Sequence, residues 1–346
     1  MSSNGSNKQS DVKFDGVSMA YGAHQVLQRV CFTAPAGKIT VLFGPSGVGK
    51  TTCLRLIAGF ERPLEGTVSL ADTIVSSPDF RMPPRDRRIG FCFQNPALWP
   101  ALNVRKHLEI VMKKHDDSSE SKKRQIDELL DIFGLTPAMT NYPDQLSGGE
   151  QKRLEFARAL AMNPDILLLD EPLASVEGLL REALMRLTKL CRLRGMTVLS
   201  VTHQLEEAFS IADHMIILHG GRALRSGSPH EIFHAPGNRR VAELMGYRNF
   251  FHPDSNSRTI QTLFGCWPHP EAAQVGWLTI LPDDLRAEEC ETGEGRVDTC
   301  YFAGRYFHCR IAMRESIIEA TSDHFLSKGT RVNLRALNTP VLLGEE

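Results

Sequence analysis

At 346 residues and roughly 150 residues per domain, the chain has room for about two folded domains. Hydrophobic residues at 42% and charged residues at 23% are the balance of a globular chain, which excludes disorder of the whole. A net charge of −1 leaves no global basic footprint, so neither nucleic acid nor an anionic membrane surface is an expected partner.

Met1–Asp11 is polar and lacks the apolar segment of a signal peptide, so it reads as a frayed tail. Val12–Phe14 and Val26–Phe32 read as short strands around Tyr21-Gly22. Ile39–Leu42 is a compact apolar strand running into a Gly-rich turn, after which Thr51–Ala58 reads as a helix. Thr67–Leu70 and Ile89–Phe93 are further strands, with Pro-rich Ser76–Arg88 as a loop. Between about 96 and 161 the pattern turns helical and charged, most clearly over Val104–Lys114 and Ser121–Phe133, so an inserted helical segment is expected.

Strand character returns at Ile166–Leu169, Thr197–Val201 and Met215–Leu218, with helical patterns between, which predicts a mostly parallel sheet. Gly220-Gly221 between apolar runs signals a hairpin. Turn residues then multiply (Pro253, Pro268, Pro270, Pro282). Leu278–Leu281, Gly295–Tyr301, Tyr306–Met313 and Arg331–Leu337 read as β. The predicted organisation is a tail over 1–11, an α/β domain over 12–248 and a small all-β domain over 249–346. The longest apolar runs are strand-length, far short of the roughly 20 residues that span a bilayer. None of the eight cysteines forms a C-x-x-C pair, which argues against a disulfide scaffold or structural zinc and for a reducing compartment.

Gly44-Pro45-Ser46-Gly47-Val48-Gly49-Lys50-Thr51 matches G-x-x-x-x-G-K-[ST] between a predicted strand and a predicted helix. The glycines let backbone N–H groups face an anion, and the helix N-terminus adds its dipole. Lys50 is placed to reach the β- and γ-phosphates of a nucleoside triphosphate, and the Thr51 hydroxyl to ligate Mg²⁺. Thr52 is grouped with the same nucleotide-binding loop. Cys53, just inside that helix, reads first as inert packing; the alternative is a thiol that ATP protects, since a helix N-terminus can lower a thiol pKa.

Asp165–Glu171 is an apolar strand ending in two carboxylates, read as lying beside the strand that feeds the phosphate loop. Strand C-terminal ends face the ligand crevice of a parallel sheet. Asp170 then holds Mg²⁺, and Glu171 polarises the attacking water. A bare turn would also accommodate two acids, and a GTPase or kinase could share both motifs. Ser147-Gly148-Gly149 ahead of amphipathic Gln151–Leu160 caps a second helix N-terminus, another anion site. Two such ends in one chain suggest a nucleotide shared between two subunits.

Together the phosphate loop, Leu146–Glu150, the acid strand and Val201-Thr202-His203 resemble the ATP-binding subunits of ABC transporters, over about Val12 to Asn249. The resemblance implies a P-loop NTPase core of the ABC type with an inserted helical subdomain. It implies that Tyr21 stacks on adenine and that Gln94 meets Mg²⁺ and the attacking water. Ser147, Gly148 and Gly149 form the signature loop that touches the γ-phosphate of the opposite subunit, His203 contacts the γ-phosphate, and Glu171 is the catalytic base. Two departures stand out: Ala174-Ser175-Val176-Glu177 where members carry a Ser-Ala-Leu-Asp-like loop, and Glu150 in place of the usual Gln.

Arg85–Gln94, Ala97-Leu98-Trp99-Pro100 and Thr202–Ala208 look like importers fed by substrate-binding proteins, with Trp99 a candidate for the groove that receives a membrane partner. The tail resembles the small OB-like regulatory (TOBE) domain of importers for oxyanions, ferric iron, polyamines and sugars. The expectation is a homodimeric, Mg²⁺-dependent ATPase peripheral to the cytoplasmic face of the membrane, serving two transmembrane permease subunits and, indirectly, a binding protein. Ferric iron or an inorganic oxyanion is the favoured cargo. The competing readings are a soluble ABC ATPase without a transport role and an ATP-binding regulator without turnover.

Overall fold

The computed structural model describes residues 10–112, 119–173, 178–251, 259–262, 265–268, 275–314 and 316–344. Residues up to Pro229 form one compact unit, and those from His230 a second.

In the first unit, alternation of buried and exposed side chains makes Val12–Tyr21 (β1) and His24–Ala34 (β2) one long hairpin, closed where Tyr21 pairs with His24. Both strands run well beyond the short segments expected, because polar residues on the exposed face hide their alternation. The apolar strand Ile39–Phe43 (β3), buried along its whole length, leads into the helix Lys50–Ala58 (α1). Glu65–Leu70 (β4) and Thr73–Ser76 (β5) follow, the latter absent from the sequence reading, and then Ile89–Cys92 (β6). The helical segment holds Val104–Met112 (α2), Ser119–Ile132 (α3) and Gly148–Ala161 (α4). Ile166–Asp170 (β7), Gly178–Leu193 (α5), Thr197–Thr202 (β8), Leu205–Ile211 (α6), His214–His219 (β9) and Arg222–Gly227 (β10) complete the unit.

These strands make two sheets. The antiparallel sheet has the order β2-β1-β4-β5, and the other has the order β10-β9-β3-β8-β7-β6. In the latter β9, β3, β8, β7 and β6 are parallel and β10 is an antiparallel edge strand. One correction follows: the acid strand β7 does not adjoin β3, because β8 lies between them. A helical crossover fixes handedness but not adjacency, so chain order alone could not reveal the insertion. The hydrophobic core joins the two sheets around α1 and includes Phe14, Leu27, Leu54, Ile57, Leu168 and Ile216. The expected hairpin at Gly220-Gly221 joins β9 to β10, both glycines having the positive φ that such a turn demands (55° and 73°).

The second unit begins ahead of the 248/249 boundary expected from composition. The short helix Pro229–His234 (α7) opens it from the boundary residue onward, followed by Arg239–Leu244 (α8), Asn249–Phe251 (β11), Thr259–Thr262 (β12) and Gly265–Pro268 (β13). Val275–Ile280 (β14), Leu285–Glu289 (β15), Gly295–Phe302 (β16), Phe307–Met313 (β17), Ser316–Ser322 (β18), Arg331–Ala336 (β19) and Val341–Gly344 (β20) follow. Five of these close a barrel in the order β15-β18-β17-β16-β19. Strands β16, β17 and β18 form a meander and β19 returns beside β16. Strand β15 completes the ring, antiparallel to β19 and parallel to β18. This is the Greek-key ring of an OB-like fold. Its core is built from Leu285, Val297, Ile311, Ile318 and Val332. Of the expected turn prolines, Pro253 and Pro270 lie outside the described residues, as do Ala174–Glu177 and most of the N-terminal tail.

Candidate active site

The C-terminal ends of four adjacent parallel strands carry the site. β3 delivers the phosphate loop, β8 ends at Thr202 before His203, β7 ends at Asp170 before Glu171, and β6 ends just before Phe93 and Gln94.

Gly44 is required by a close approach: a Cβ there would stand 2.2 Å from the carbonyl oxygen of Leu218. Gly47 and Gly49 turn the loop with φ of 79° and 100°, a region that costs glycine nothing. Gly49 caps α1 with no side-chain hydrogen bond, so the first N–H groups of the helix stay open to an anion. Ser46 and Gly47 are exposed, whereas Lys50 and Thr52 are buried. The Lys50 ammonium donates to the carbonyls of Gly44 and Pro45, both at 2.8 Å. Burial lowers its pKa, while Glu171 and Asp170 pull the other way.

The Thr51 hydroxyl donates to Asp170 Oδ1 at 2.9 Å. Burial raises the Asp170 pKa, opposed by that hydrogen bond. This buried carboxylate beside a threonine hydroxyl is a hard oxygen set of the kind Mg²⁺ takes when phosphate and water complete its octahedron. Among the described residues no group of three His, Cys, Asp or Glu is placed to hold a metal. Thr51 and Asp170, with Gln94 one hydrogen bond away on Glu171, are the residues that would hold such a cation.

Glu171 sits at the centre. Its φ of 44° is unusual for a side-chain-bearing residue, and its N–H is held by the carbonyl of Val201 at 3.0 Å. One carboxylate oxygen accepts from Gln94 Nε2 at 3.0 Å, and the other lies 3.1 Å from His203 Nδ1. The three residues named as catalytic from sequence, separated by 77 and 32 positions, thus form one hydrogen-bonded group. Tyr21 is 43% exposed and donates to Glu61 at 2.7 Å, which leaves its ring open at the edge of α1.

The signature residues have hydrogen bonds of another kind. Ser147 caps α4 in a reciprocal box with Glu150. The Ser147 N–H and hydroxyl both donate to Glu150 Oε2 at 2.9 Å, and the Glu150 N–H returns to Ser147 Oγ at 3.2 Å. Those bonds from Ser147 lower the Glu150 pKa.

The ABC transporter family matches residues 27–174. The sulfate/thiosulfate import ATP-binding protein CysA of Mycolicibacterium paratuberculosis is 35% identical over 92% of this chain and 83% of its own length. This chain belongs to the ABC transporter ATP-binding family. The Fe(3+) ions import ATP-binding protein FbpC of Pseudomonas fluorescens is 31% identical to this ABC ATPase over 96% of the chain and 98% of its own length. A solved dimeric ATP-binding cassette, bound to ADP and Pi in a post-hydrolysis state, is 31% identical with a TM-score of 0.56. It covers 63% of this chain and 98% of its own. Among the described residues no helix is long and apolar enough to cross a membrane.

Three supports of the site escaped the sequence reading. Glu207 stands in the importer-like string Thr202–Ala208 with no role of its own there, yet it is 1% exposed and accepts from the Thr202 hydroxyl at 3.0 Å behind His203. Burial pushes its pKa up to about 7. Arg87, read as a loop charge, is buried and donates to the carbonyls of Leu56, Ile57, Val75 and Met82 and to Ser76 Oγ. It ties down the C-terminal end of α1 and is held at about 10 by burial. On α4, fully buried Glu155 pairs with Lys152 at 3.0 Å and accepts from the Phe93 N–H at 2.9 Å. Lys152 donates to the carbonyls of Phe93 and Gln94, and Arg158 Nη1 donates to the carbonyl of Ala97 at 2.5 Å. The helix that begins with the signature loop thereby grips the backbone that carries Gln94. The only sequence signal was a run of alternating charges on an amphipathic helix, which reads equally well as a solvated face.

Two residues with alternative readings can be placed. Cys53 is fully buried and its thiol is pushed up to about 12 by desolvation, so the helix N-terminus does not activate it and packing accounts for it. Trp99 is 44% exposed. Its ring stacks on His107 at 5.5 Å and lies under the Arg158 guanidinium at 5.0 Å, an edge that is half core and half surface.

Proposed function

We propose that this chain is the ATP-hydrolysing subunit of a binding-protein-dependent importer, peripheral to the cytoplasmic face of the membrane. Two copies pair head to tail. Each ATP is held by the phosphate loop of one copy, with Tyr21 against the adenine, and by Ser147, Gly148 and Gly149 of the other. The pair drives two permease subunits, which receive cargo from a binding protein. Residues 12–248 act as the ABC domain, with 96–161 as its helical part, and 249–346 as a TOBE-like domain. The observation that carries this reading is the convergence of Gln94 and His203 on Glu171, one residue beyond the Asp170–Thr51 pair.

Lys50, drawn toward the carbonyls of its own loop, exchanges those acceptors for phosphate oxygens. Mg²⁺, when bound, neutralises charge on the β- and γ-phosphates. Gln94 orients the Glu171 carboxylate, which takes a proton from the attacking water. His203 holds the opposite face of that carboxylate and reaches the γ-phosphate. The names of the sulfate/thiosulfate and Fe(3+) relatives support an inorganic oxyanion or ferric iron as cargo.

The test is Glu171→Gln. Loss of a general base lowers turnover by about a hundredfold or more. ATP is still bound, so the variant is expected to accumulate as an ATP-bound pair in light scattering. Undiminished turnover would remove the assigned base. Turnover without any pairing would favour the soluble, non-transport reading, and nucleotide binding with no turnover in the wild type would favour the regulator.

A further inference from the structure

The C-terminal barrel carries a pair of cysteines that the ATPase reading does not use. Cys300 on β16 stands directly opposite Cys309 on β17, and their sulfurs are 3.2 Å apart with the Cys309 thiol donating. A bulge between Val297 and Thr299 shifts the in–out alternation of β16. That shift turns Cys300 toward the barrel core, where Cys309 is fully buried. The hairpin is closed by the Ala303 N–H on the Tyr306 carbonyl at 2.9 Å. Counting back along the ladder, pairs alternate between hydrogen-bonded and non-hydrogen-bonded, which makes 300/309 a non-hydrogen-bonded pair. Such pairs have Cα atoms about 4.5 Å apart, within the span a disulfide bridges.

We propose that Cys300 and Cys309 are a reversible dithiol–disulfide site, oxidised by a hydroperoxide and reduced by small dithiols. Cys300, half-buried, is the sulfur a small oxidant reaches; Cys309 is enclosed. The Cys300 sulfur takes the distal oxygen of hydrogen peroxide, which leaves one water and a sulfenic acid. The Cys309 sulfur then attacks the Cys300 sulfur, and its proton leaves with the displaced hydroxide as a second water. Two thiols and one peroxide give one disulfide and two waters. In a reducing compartment such a bond is transient, a record of oxidant exposure rather than a permanent staple.

Trypsin reads this pair directly, because Arg305 separates the two cysteines. The full chain is treated with hydrogen peroxide, alkylated and digested without reduction. The expected product is Val297–Arg305 joined to Tyr306–Arg310, lighter than the two thiol peptides by two hydrogens. Dithiothreitol should release both peptides. Cys300→Ser and Cys309→Ala should each abolish the joined product while circular dichroism verifies folding. Recovery of the two peptides separately after peroxide, alkylated or oxidised to sulfinic acid, would overturn the proposal. The outcome is independent of whether Glu171 is the catalytic base.

Discussion

Two helix N-termini in the first unit meet anions in opposite ways. At α1 the cap is Gly49, no side chain takes the helix N–H groups, and the first turn holds no acid. At α4 the cap is Ser147, and Glu150 sits in the first turn with its carboxylate on the Ser147 N–H and hydroxyl. The first end has unspent donors, and in the proposed function it takes phosphate without a competing side chain. The second already holds an anion of its own, so in the proposed pairing the partner's phosphate would have to displace a carboxylate. The contrast extends beneath the surface. Under α4, Glu155 is neutralised by Lys152 at 3.0 Å. Near the nucleotide end, buried Glu207 is met by the Thr202 hydroxyl in place of a lysine, and burial raises its pKa to about 7.

The sharpest way to break this contrast is at the pair under α4. Lys152→Met leaves Glu155 buried without its nearest cation, which costs about 3–5 kcal/mol. Urea unfolding should show that loss, and adding Glu155→Leu should recover most of it. If Lys152→Met alone proves neutral, the pair does not hold α4 to the Gln94 segment.

Glu207 gives the next largest effect, and the sign follows from its folded pKa of about 7 lying above the unfolded value near 4.3. Below that unfolded value both states hold the proton. As pH rises through 5 to 7 the unfolded chain releases its proton first, so the folded state loses stability, up to about 3 kcal/mol by pH 8. Thr202, Glu171, His203 and Arg181 are the groups that act on it. Glu207→Gln should therefore gain stability relative to wild type between pH 5 and pH 8. A difference in melting temperature that is flat across that range would show Glu207 is charged throughout.

The smallest effect is at the surface of the second helix end. Glu150→Gln keeps the capping geometry but removes the competing charge, worth under about 1 kcal/mol at an exposed helix terminus. ATP-driven pairing, followed by light scattering in the Glu171→Gln background, should tighten several-fold. Weaker pairing would mean that Glu150 helps rather than competes.

Much of this was legible because it is local. The phosphate loop, the acid pair and the Ser147 cap each encode their geometry within a few residues, through positive-φ glycines, an apolar run that stops at carboxylates, and a serine three residues ahead of an acid. Strands β5, β15, β18 and β20 went unread because runs this short, whether mixed like Leu285–Glu289 or apolar without alternation like Val341–Gly344, carry little periodicity of their own. Their pairing depends on neighbours distant in the chain.

What the sequence determined alone is the set of chemical parts and the elements that carry them: Lys50 and Thr51 opening a helix, Asp170 and Glu171 ending a strand, and His203 ending another. Tertiary structure alone decided their neighbours. It inserted β8 between β3 and β7, so that His203 and Gln94 both reach Glu171. It sank Glu207, Glu155 and Arg87 into the interior, and it set Cys300 against Cys309. The reason is physical. Backbone conformation is fixed by contacts a few residues apart, whereas burial, ion pairing and sheet order are settled only when distant segments exclude water from one another.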